Sequence, residues 1–222
     1  MPDTSSVLLF VKSLERGKVK SRLAARLGEE LTLDLYRSFV LDTVEALTSA
    51  DASLRIYYYP ADSGENVANW IGKGFVFAPQ RGEDLGERMR NAFADSFSEG
   101  LERALLIGSD IPDLNIAVIG DAFSSLENSD AVVGPASDGG YYLIGFRKSS
   151  FLPEVFHGIN WGSNSVFRET MKLLSVSGYH VRVLDERHDI DTIDDLRAFF
   201  LRNRDTRRRE SRSLSLCRKI FL

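Results

Sequence analysis

The sequence predicts a single α/β domain in which helices cover both faces of a mostly parallel, mixed sheet. Short apolar runs alternate along the chain with segments whose apolar residues recur every three or four positions, as strands and helices do in such folds. The length of 222 residues lies within the range that one α/β domain fills. Apolar residues make up 43% and charged residues 27% of the chain, which excludes a disordered or fibrous protein.

The first half of the chain alternates strands with helices. Residues 6–11 form an apolar run typical of a strand buried on both faces, and residues 29–47 have the periodicity of a long amphipathic helix. The same patterns predict further strands at 54–59, 75–78 and 104–108, and further helices at 65–71 and 85–97.

The second half departs once from this alternation. A helix at 116–126 is followed by two strands in succession, at 131–134 and 141–146, with a glycine turn between them. A helix at 165–174, a strand at 180–184 and a helix at 193–201 complete the pattern. We therefore expect one domain over residues 1–202.

Residues 203–222 form a basic C-terminal tail. They contain seven Lys or Arg against two Asp or Glu, so the net charge of −4 leaves about −9 on the rest of the chain. An acidic body argues against a nucleic-acid-binding face. We interpret the tail as a solvated, poorly ordered terminus; contact with nucleic acid or a membrane is the alternative.

The remaining composition favours a cytoplasmic protein. The apolar run at 7–11 is too short to span a membrane, and the first residues lack the basic start of a secretory signal. A single cysteine, Cys217, is compatible with a reducing compartment. The sequence does not decide the oligomeric state, and a homodimer is kept as an alternative.

A basic loop follows the first predicted strand. Five cations surround Gly17 in this loop: Lys12, Arg16, Lys18, Lys20 and Arg22. Glycine lets the backbone approach phosphate oxygens and the cations neutralise them, so the loop is a candidate site for a phosphate chain. The alternative is a solvated basic loop without a ligand.

The strand at 104–108 delivers a carboxylate, Asp110, from a buried apolar run. Such a group is costly to bury unless it meets a cation, and Mg²⁺ or Mn²⁺ prefers oxygen ligands. Asp110 is therefore a candidate metal ligand. The alternative is that Asp110 or Asp113 only organises the turn at Pro112.

Two further acidic segments lie near predicted strand ends. In the turn Asp138-Gly139-Gly140-Tyr141, the aspartate is a candidate general base and the other three residues are candidates for binding an acceptor; a plain hairpin turn explains the same glycines. Asp189 and Asp191 precede the last helix, where either could complete a metal site with Asp110. Thr192 and Asp195 have the spacing of a capping box.

Two common kinds of site are excluded. The three histidines have no ligand spacing, so no zinc site is indicated. The Gly-x-Ser-x-Gly elbow of α/β hydrolases does not occur.

Residues 7–196 resemble the GT-A, or nucleotide-diphospho-sugar transferase, superfamily, and within it the bacterial radical-SAM/selenodomain-associated glycosyltransferases. Six motifs in order carry the resemblance: Phe10-Val-Lys12, Gly17-Lys-Val-Lys-Ser-Arg-Leu23, Asp84-Leu-Gly-Glu-Arg-Met89, Ile107-Gly-Ser-Asp110-Ile-Pro-Asp113, Asp138-Gly-Gly-Tyr-Tyr-Leu-Ile-Gly145 and Asp189-Ile-Asp191-Thr.

The resemblance implies a Rossmann-like GT-A domain that binds a nucleotide. It implies that the basic first loop holds the donor diphosphate, that Asp110 and Asp191 bind the metal, and that Gln80 contacts the nucleobase. The chain departs from the superfamily in having Asp110-Ile-Pro-Asp113 instead of Asp-x-Asp, and its first loop resembles that of phospholactate guanylyltransferases.

The leading hypothesis is thus metal-dependent glycosyl transfer from a nucleotide-diphospho-sugar to a small-molecule acceptor. In it, Asp110 has a catalytic role through the metal and Asp138 orients or deprotonates the acceptor hydroxyl. The alternatives are nucleotidyl transfer from an NTP to a phosphorylated small molecule, and a non-enzymatic nucleotide-binding scaffold.

Overall fold

The computed structural model describes residues 4–48, 52–205 and 211–222. Within these ranges one sheet of seven strands has the order β3-β2-β1-β4-β6-β5-β7. The strands are β1 (Ser5–Lys12), β2 (Ser53–Tyr59), β3 (Val76–Pro79), β4 (Arg103–Ile107), β5 (Ala131–Pro135), β6 (Tyr141–Arg147) and β7 (Val181–Val183).

Helices cover both faces of the sheet. They are α1 (Ser21–Leu27), α2 (Glu29–Leu47), α3 (Gly64–Ile71), α4 (Leu85–Ser98), α5 (Ile116–Ser125), α6 (Val166–Val176), α7 (Ile193–Asn203) and α8 (Arg212–Phe221). Two short 3₁₀ helices, Lys148–Ser150 and Pro153–Phe156, lie between β6 and α6. In the described ranges no helix is both long and apolar enough to cross a membrane.

The mixed sheet is confirmed. β1 runs parallel to β2 and β4, whereas β6 runs antiparallel to both β4 and β5. Because β6 is reversed, its first residue, Tyr141, lies at the edge of the sheet where β4 ends. That edge therefore receives the loops after β1 and β4 and also the turn before β6.

The core follows the period-2 alternation of the strands. On β1, Val7, Leu9 and Val11 face the cluster that contains α2, while Leu8 and Phe10 face the cluster that contains α4. A third buried cluster packs α1, α2, α7 and α8 together, with residues such as Leu23, Phe39, Phe199 and Leu214.

The prediction of a solvated C-terminal tail is wrong for residues 211–222; residues 206–210 lie outside the described residues. Helix α8 packs against α2 and α7 and buries Leu214 and Cys217 completely. The sequence pattern did not predict α8 because its apolar face is short and the basic residues before it dominate the composition of residues 203–222. Helix α1 was also not predicted, because it begins inside the basic loop.

Asp42 anchors the start of α8. This aspartate on α2 is buried and accepts hydrogen bonds from the backbone N–H groups of Arg212 at 3.0 Å and Ser213 at 2.9 Å. A carboxylate at a helix N-terminus satisfies N–H groups that have no partner within the helix and complements the helix dipole.

We expect Asp42→Ala to lower the free energy of unfolding by about 1–2 kcal/mol, because buried N–H groups of α8 lose their acceptor. Urea denaturation followed by circular dichroism measures this change. Glu45→Ala is the matched control, since Glu45 contacts the same arginine but is 71% exposed, against 6% for the Asp42 side chain. Equal losses in the two variants would show that Asp42 is not an anchor.

Candidate active site

A cavity of about 720 Å³ opens at the sheet edge where β1 and β4 end. It is bounded by the first loop, the residues after β4, the turn before β6, the segment 161–164 and the loop before α7. β1 and β4 are adjacent strands whose connections lead in opposite directions along the sheet, to β2 and to β5. Open α/β sheets bind ligands at such a switch point.

An ion cluster around a buried ammonium forms one wall of this cavity. The ammonium Nζ of Lys20 lies 2.7 Å from Asp110 Oδ1 and 2.8 Å from Asp191 Oδ1, and only 6% of the Lys20 side chain is exposed. The backbone of Lys20 is left-handed (φ 47°, ψ 50°), and in the described ranges no other residue except glycine has a positive φ. The tertiary contacts therefore hold this residue against its own backbone preference.

The charges of the cluster stabilise one another. Burial alone would lower the pKa of Lys20, but the two carboxylates outweigh it and raise the pKa above its ordinary value. Burial alone would raise the pKa of Asp191, yet the Lys20 ammonium outweighs it and lowers that pKa. Lys20 and Asp191 are therefore charged at neutral pH, and carboxylates neutralise the Lys20 ammonium.

Backbone and hydroxyl contacts fix the three chain segments that meet here. The Tyr36 hydroxyl accepts a hydrogen bond from the backbone N–H of Lys12 at 2.7 Å and lies 3.3 Å from Ser109 Oγ. Burial raises the pKa of Tyr36 to about 12, so this hydroxyl keeps its proton. The backbone N–H of Ile190 donates to the carbonyl of Asp110 at 3.1 Å, which joins the loop before α7 to the end of β4.

The start of α7 confirms the predicted capping box. The Thr192 side chain accepts from the Asp195 backbone N–H, and the Asp195 carboxylate accepts from the backbone N–H of Thr192 at 2.8 Å and of Asp191 at 3.2 Å. This cap holds the backbone of Asp191 in place next to Lys20.

The oxygen atoms of Asp110 and Asp191 are of the type that Mg²⁺ or Mn²⁺ prefers. Across the described residues, no three His, Cys, Asp or Glu side chains gather as a preformed metal site. A divalent cation would take two carboxylates here and its other ligands from phosphate and water, as Mg²⁺ commonly does. The Lys20 ammonium already contacts the Oδ1 atoms of both carboxylates, so it competes with an ion for these oxygens.

A second group of acids lies around the turn before β6. The Asp138 carboxylate is exposed and accepts from the Gly140 backbone N–H at 2.8 Å. Burial, and then the negative charge of Asp138, raises the pKa of Asp189. Gly139 has a φ of 91°, and a Cβ there would come within 2.2 Å of the Asn164 carbonyl oxygen, so only glycine allows this close approach.

Gln80 and Tyr141 both line the cavity, and the amide nitrogen of Gln80 and the hydroxyl of Tyr141 already have partners. The buried Gln80 amide donates to the backbone carbonyls of Tyr57 at 2.9 Å and Val11 at 3.2 Å. The Tyr141 hydroxyl points to Met89 Sδ at 3.7 Å, and burial raises the pKa of this tyrosine. The Tyr141 ring, but not its hydroxyl, is therefore available to a ligand.

The structure brings most of the predicted site residues into one cavity, namely Lys12, Lys20, Arg22, Gln80, Asp110, Asp138, Gly140, Tyr141 and Asp191. It does not bring Gly17 and Lys18 there; both are exposed on the outer part of the loop. Gly139 packs behind the cavity against Asn164.

Asp113 has a structural role, since its carboxylate accepts from Arg202 Nε at 3.0 Å and Asn203 Nδ2 at 2.9 Å. Sequence reasoning missed Trp161 and Asn164, which also line the cavity. A tryptophan within the polar, glycine-containing segment Asn160-Trp-Gly-Ser-Asn164 was the available signal.

Known proteins resemble this chain along most of its length. Residues 41–163, more than half of the chain, match the family described as "Uncharacterized protein conserved in bacteria (DUF2064)". The solved structure of a provisionally named nucleotide-diphospho-sugar transferase from Desulfovibrio desulfuricans G20 is 42% identical, with a TM-score of 0.95 over 98% of this chain and 95% of that one.

Two more distant proteins are similar as well. A 2-phospho-L-lactate guanylyltransferase from Methanocaldococcus infernus is 24% identical over 182 residues, which are 82% of this chain and 80% of that protein. The manganese complex of Rv0371c from Mycobacterium tuberculosis H37Rv is 18% identical, with a TM-score of 0.53 over 87% of this chain and 96% of that one. The latter likeness concerns the fold alone.

The chain belongs to the DUF2064 family. The comparisons confirm the predicted nucleotide-diphospho-sugar transferase-like fold and the prediction that the protein is a transferase. The association with radical-SAM proteins stays a prediction.

We expect Lys20→Met to increase the affinity for Mn²⁺ in the absence of nucleotide by about tenfold or more, because two carboxylates lose the ammonium that competes with the ion. Titration of free Mn²⁺ by electron paramagnetic resonance measures this affinity. Arg16→Met is the control, because it removes a cation of the same loop whose partner is the exposed Glu30. An unchanged or weaker affinity in Lys20→Met would show that the ammonium and the ion do not compete.

Proposed function

We propose that this DUF2064-family transferase moves a glycosyl group from a nucleotide-diphospho-sugar to a hydroxyl of a small-molecule acceptor. The observation that supports this proposal is the lining of one cavity. Cations of the first loop lie there beside the Lys20–Asp110–Asp191 cluster, and the exposed carboxylate of Asp138 lies elsewhere on the lining. Transfer needs charge stabilisation at a leaving diphosphate and a proton acceptor at the incoming hydroxyl.

The first loop serves the donor in this proposal. Lys12 and Arg22 are exposed at the cavity, where their charges can neutralise phosphate oxygens. Lys20 joins them once its carboxylate partners have bound a cation. Gln80, which follows β3 and lines the cavity, is assigned to the nucleobase in this proposal. The likeness to the protein from Desulfovibrio desulfuricans G20 supports a nucleotide-sugar donor.

Asp110 and Asp191 would hold the divalent cation, Mg²⁺ or Mn²⁺. When bound, such an ion supplies positive charge next to the leaving phosphates. The oxygen donors of the two aspartates support this assignment, and Rv0371c, which shares the fold, has been solved with manganese.

Asp138 serves the acceptor. Its carboxylate is held by the Gly140 backbone N–H and reaches the cavity. The acceptor hydroxyl gives its proton to Asp138 as its oxygen bonds to the anomeric carbon of the donor. The bond between that carbon and the diphosphate oxygen breaks, and a nucleoside diphosphate leaves.

Nucleotidyl transfer is the second candidate. Three cations at the cavity would also suit an NTP, and the relative from Methanocaldococcus infernus is a guanylyltransferase. A phosphorylated acceptor would then attack the α-phosphorus, and pyrophosphate would leave. The hypothesis of a non-enzymatic scaffold is not retained, since the relatives from Desulfovibrio desulfuricans G20 and Methanocaldococcus infernus are named as transferases. A cytoplasmic location and a small-molecule acceptor remain part of the proposal.

We expect Asp110→Asn to lower kcat/KM by about 100-fold or more, because charge stabilisation of the leaving group is lost. The assay incubates nucleotide-sugars and NTPs with Mn²⁺ and acceptors, and separates nucleoside diphosphate from pyrophosphate by chromatography. Diphosphate release indicates glycosyl transfer, whereas pyrophosphate release indicates the second candidate.

Asp113→Asn is the matched control for this experiment. Asp113 lies three residues further along the same loop but contacts Arg202 and Asn203 instead of the cavity. The turnover of the Asp113→Asn variant should stay near that of the wild type. Wild-type donor affinity and turnover in Asp110→Asn would refute the role of Asp110.

A further inference from the structure

We infer that the segment 161–164 and the turn 138–140 form an acceptor subsite for an uncharged, hydroxylated compound of the saccharide or polyol class. This inference rests on the proposed function, because it takes the cavity as the place of transfer. It goes further by assigning the acceptor class and two binding residues, Trp161 and Asn164.

Trp161 is an aromatic platform whose position is fixed by packing. Its ring meets the Tyr141 ring edge-on, with centroids 6.4 Å apart and planes at 88°. A Cβ on Gly86, at the start of α4, would come within 2.5 Å of the indole Nε1 and 2.4 Å of the Phe156 carbonyl oxygen. Glycine at position 86 is therefore needed to seat the indole between α4 and the cavity.

A ring held in this way suits a sugar. Trp161 is half-buried and lines the cavity, so part of its surface remains available to a ligand. The face of a sugar ring that carries C–H groups is apolar and packs on an aromatic surface. Because the indole is ordered before the ligand arrives, little conformational entropy is lost on binding.

Asn164 and Asp138 bring matching polar groups beside this platform. The turn packs directly on the segment, since a Cβ on Gly139 would lie 2.2 Å from the Asn164 carbonyl oxygen, and the Phe167 backbone N–H donates to the Gly139 carbonyl at 2.9 Å. The side chains of Asn164 and Asp138 are both exposed. An amide donates and accepts while a carboxylate accepts, and adjacent hydroxyls of a polyol need both kinds of partner.

The charges of the cavity favour a neutral acceptor. Among the described residues that line it, the cations are Lys12, Lys20 and Arg22, all in the first loop. The carboxylates are Asp110, Asp138, Asp189 and Asp191, which gives a net charge of −1 before a donor binds. A donor diphosphate adds more negative charge, which one divalent cation offsets.

An acceptor phosphate or carboxylate beside Asp138 and Asp189 would therefore face negative charge. Placing an anion there costs free energy unless a cation pairs with it, whereas a hydroxyl carries no such cost. This difference separates the inferred acceptor from the phosphorylated acceptor of the nucleotidyl-transfer candidate.

The two tryptophans of the chain allow a direct binding test. Trp70→Phe leaves Trp161 as the only indole, and Trp161→Phe leaves Trp70, which lies on α3 outside the cavity lining. Each variant is titrated, with Mg²⁺ and nucleoside diphosphate present, against neutral hexoses, N-acetylhexosamines, pentoses and linear polyols. The 6-phosphates of the same hexoses and glycerol 3-phosphate are the charged counterparts.

We expect the neutral sugars and polyols of the panel to change the tryptophan fluorescence of Trp70→Phe but not that of Trp161→Phe. We expect the phosphorylated counterparts to bind at least about tenfold more weakly, the ratio that about 1.4 kcal/mol of charge repulsion produces. Tighter binding of the phosphorylated compounds, or no response to any neutral member of the panel, would overturn the inference.

Kinetics separate the failure of this inference from the failure of the proposed function. Trp161→Ala should raise the acceptor KM by about tenfold, with Trp161→Phe close to the wild type and the donor Kd from calorimetry unchanged in both. If wild-type protein binds no nucleotide-sugar, the proposed function fails. If donors bind and only phosphorylated acceptors accelerate their turnover, the acceptor inference fails while transferase chemistry stands.

Discussion

The contact of the Lys20 ammonium with Asp110 and Asp191 is the interaction on which the cavity depends. It joins the first loop, the end of β4 and the loop before α7, and Lys20 and Asp191 are 171 residues apart in sequence. The buried ammonium without the two carboxylates would be costly in free energy. The cluster therefore holds three segments together that are distant in sequence.

The third core cluster supports both sides of this contact. Leu23 lies on α1, which begins directly after Lys20, and Ile190 precedes Asp191; both are buried in the cluster that α2, α7 and α8 complete. Helix α8 is held there by Asp42 and by the burial of Leu214 and Cys217. Helix α8 thus stabilises the candidate active site without lining the cavity, through its packing on the two elements that carry Lys20 and Asp191.

The hairpin of β5 and β6 gives the cavity its second half. Because β5 runs parallel to β4 and β6 runs antiparallel to it, the turn 138–140 between them lies at the sheet edge where β4 ends. Asp138 then lies on the same cavity as Asp110. The segment 161–164 packs on that turn and adds Trp161, so the proposed donor and acceptor sites lie at different parts of one sheet edge.

The sequence by itself determined the features that depend on neighbouring residues. Period-2 and period-3.6 patterns predicted the strands and most helices, with α2 (Glu29–Leu47) at the same bounds, and the spacing of Thr192 and Asp195 predicted the cap of α7. It also singled out Asp110, Asp138 and Asp191 as acids that follow strands or precede them. Only the tertiary structure decided that Lys20 contacts two of these acids, that Trp161 faces the cavity and that α8 is packed. These features arise from contacts between segments far apart in the chain, and no local period or spacing encodes which distant surfaces bury each other.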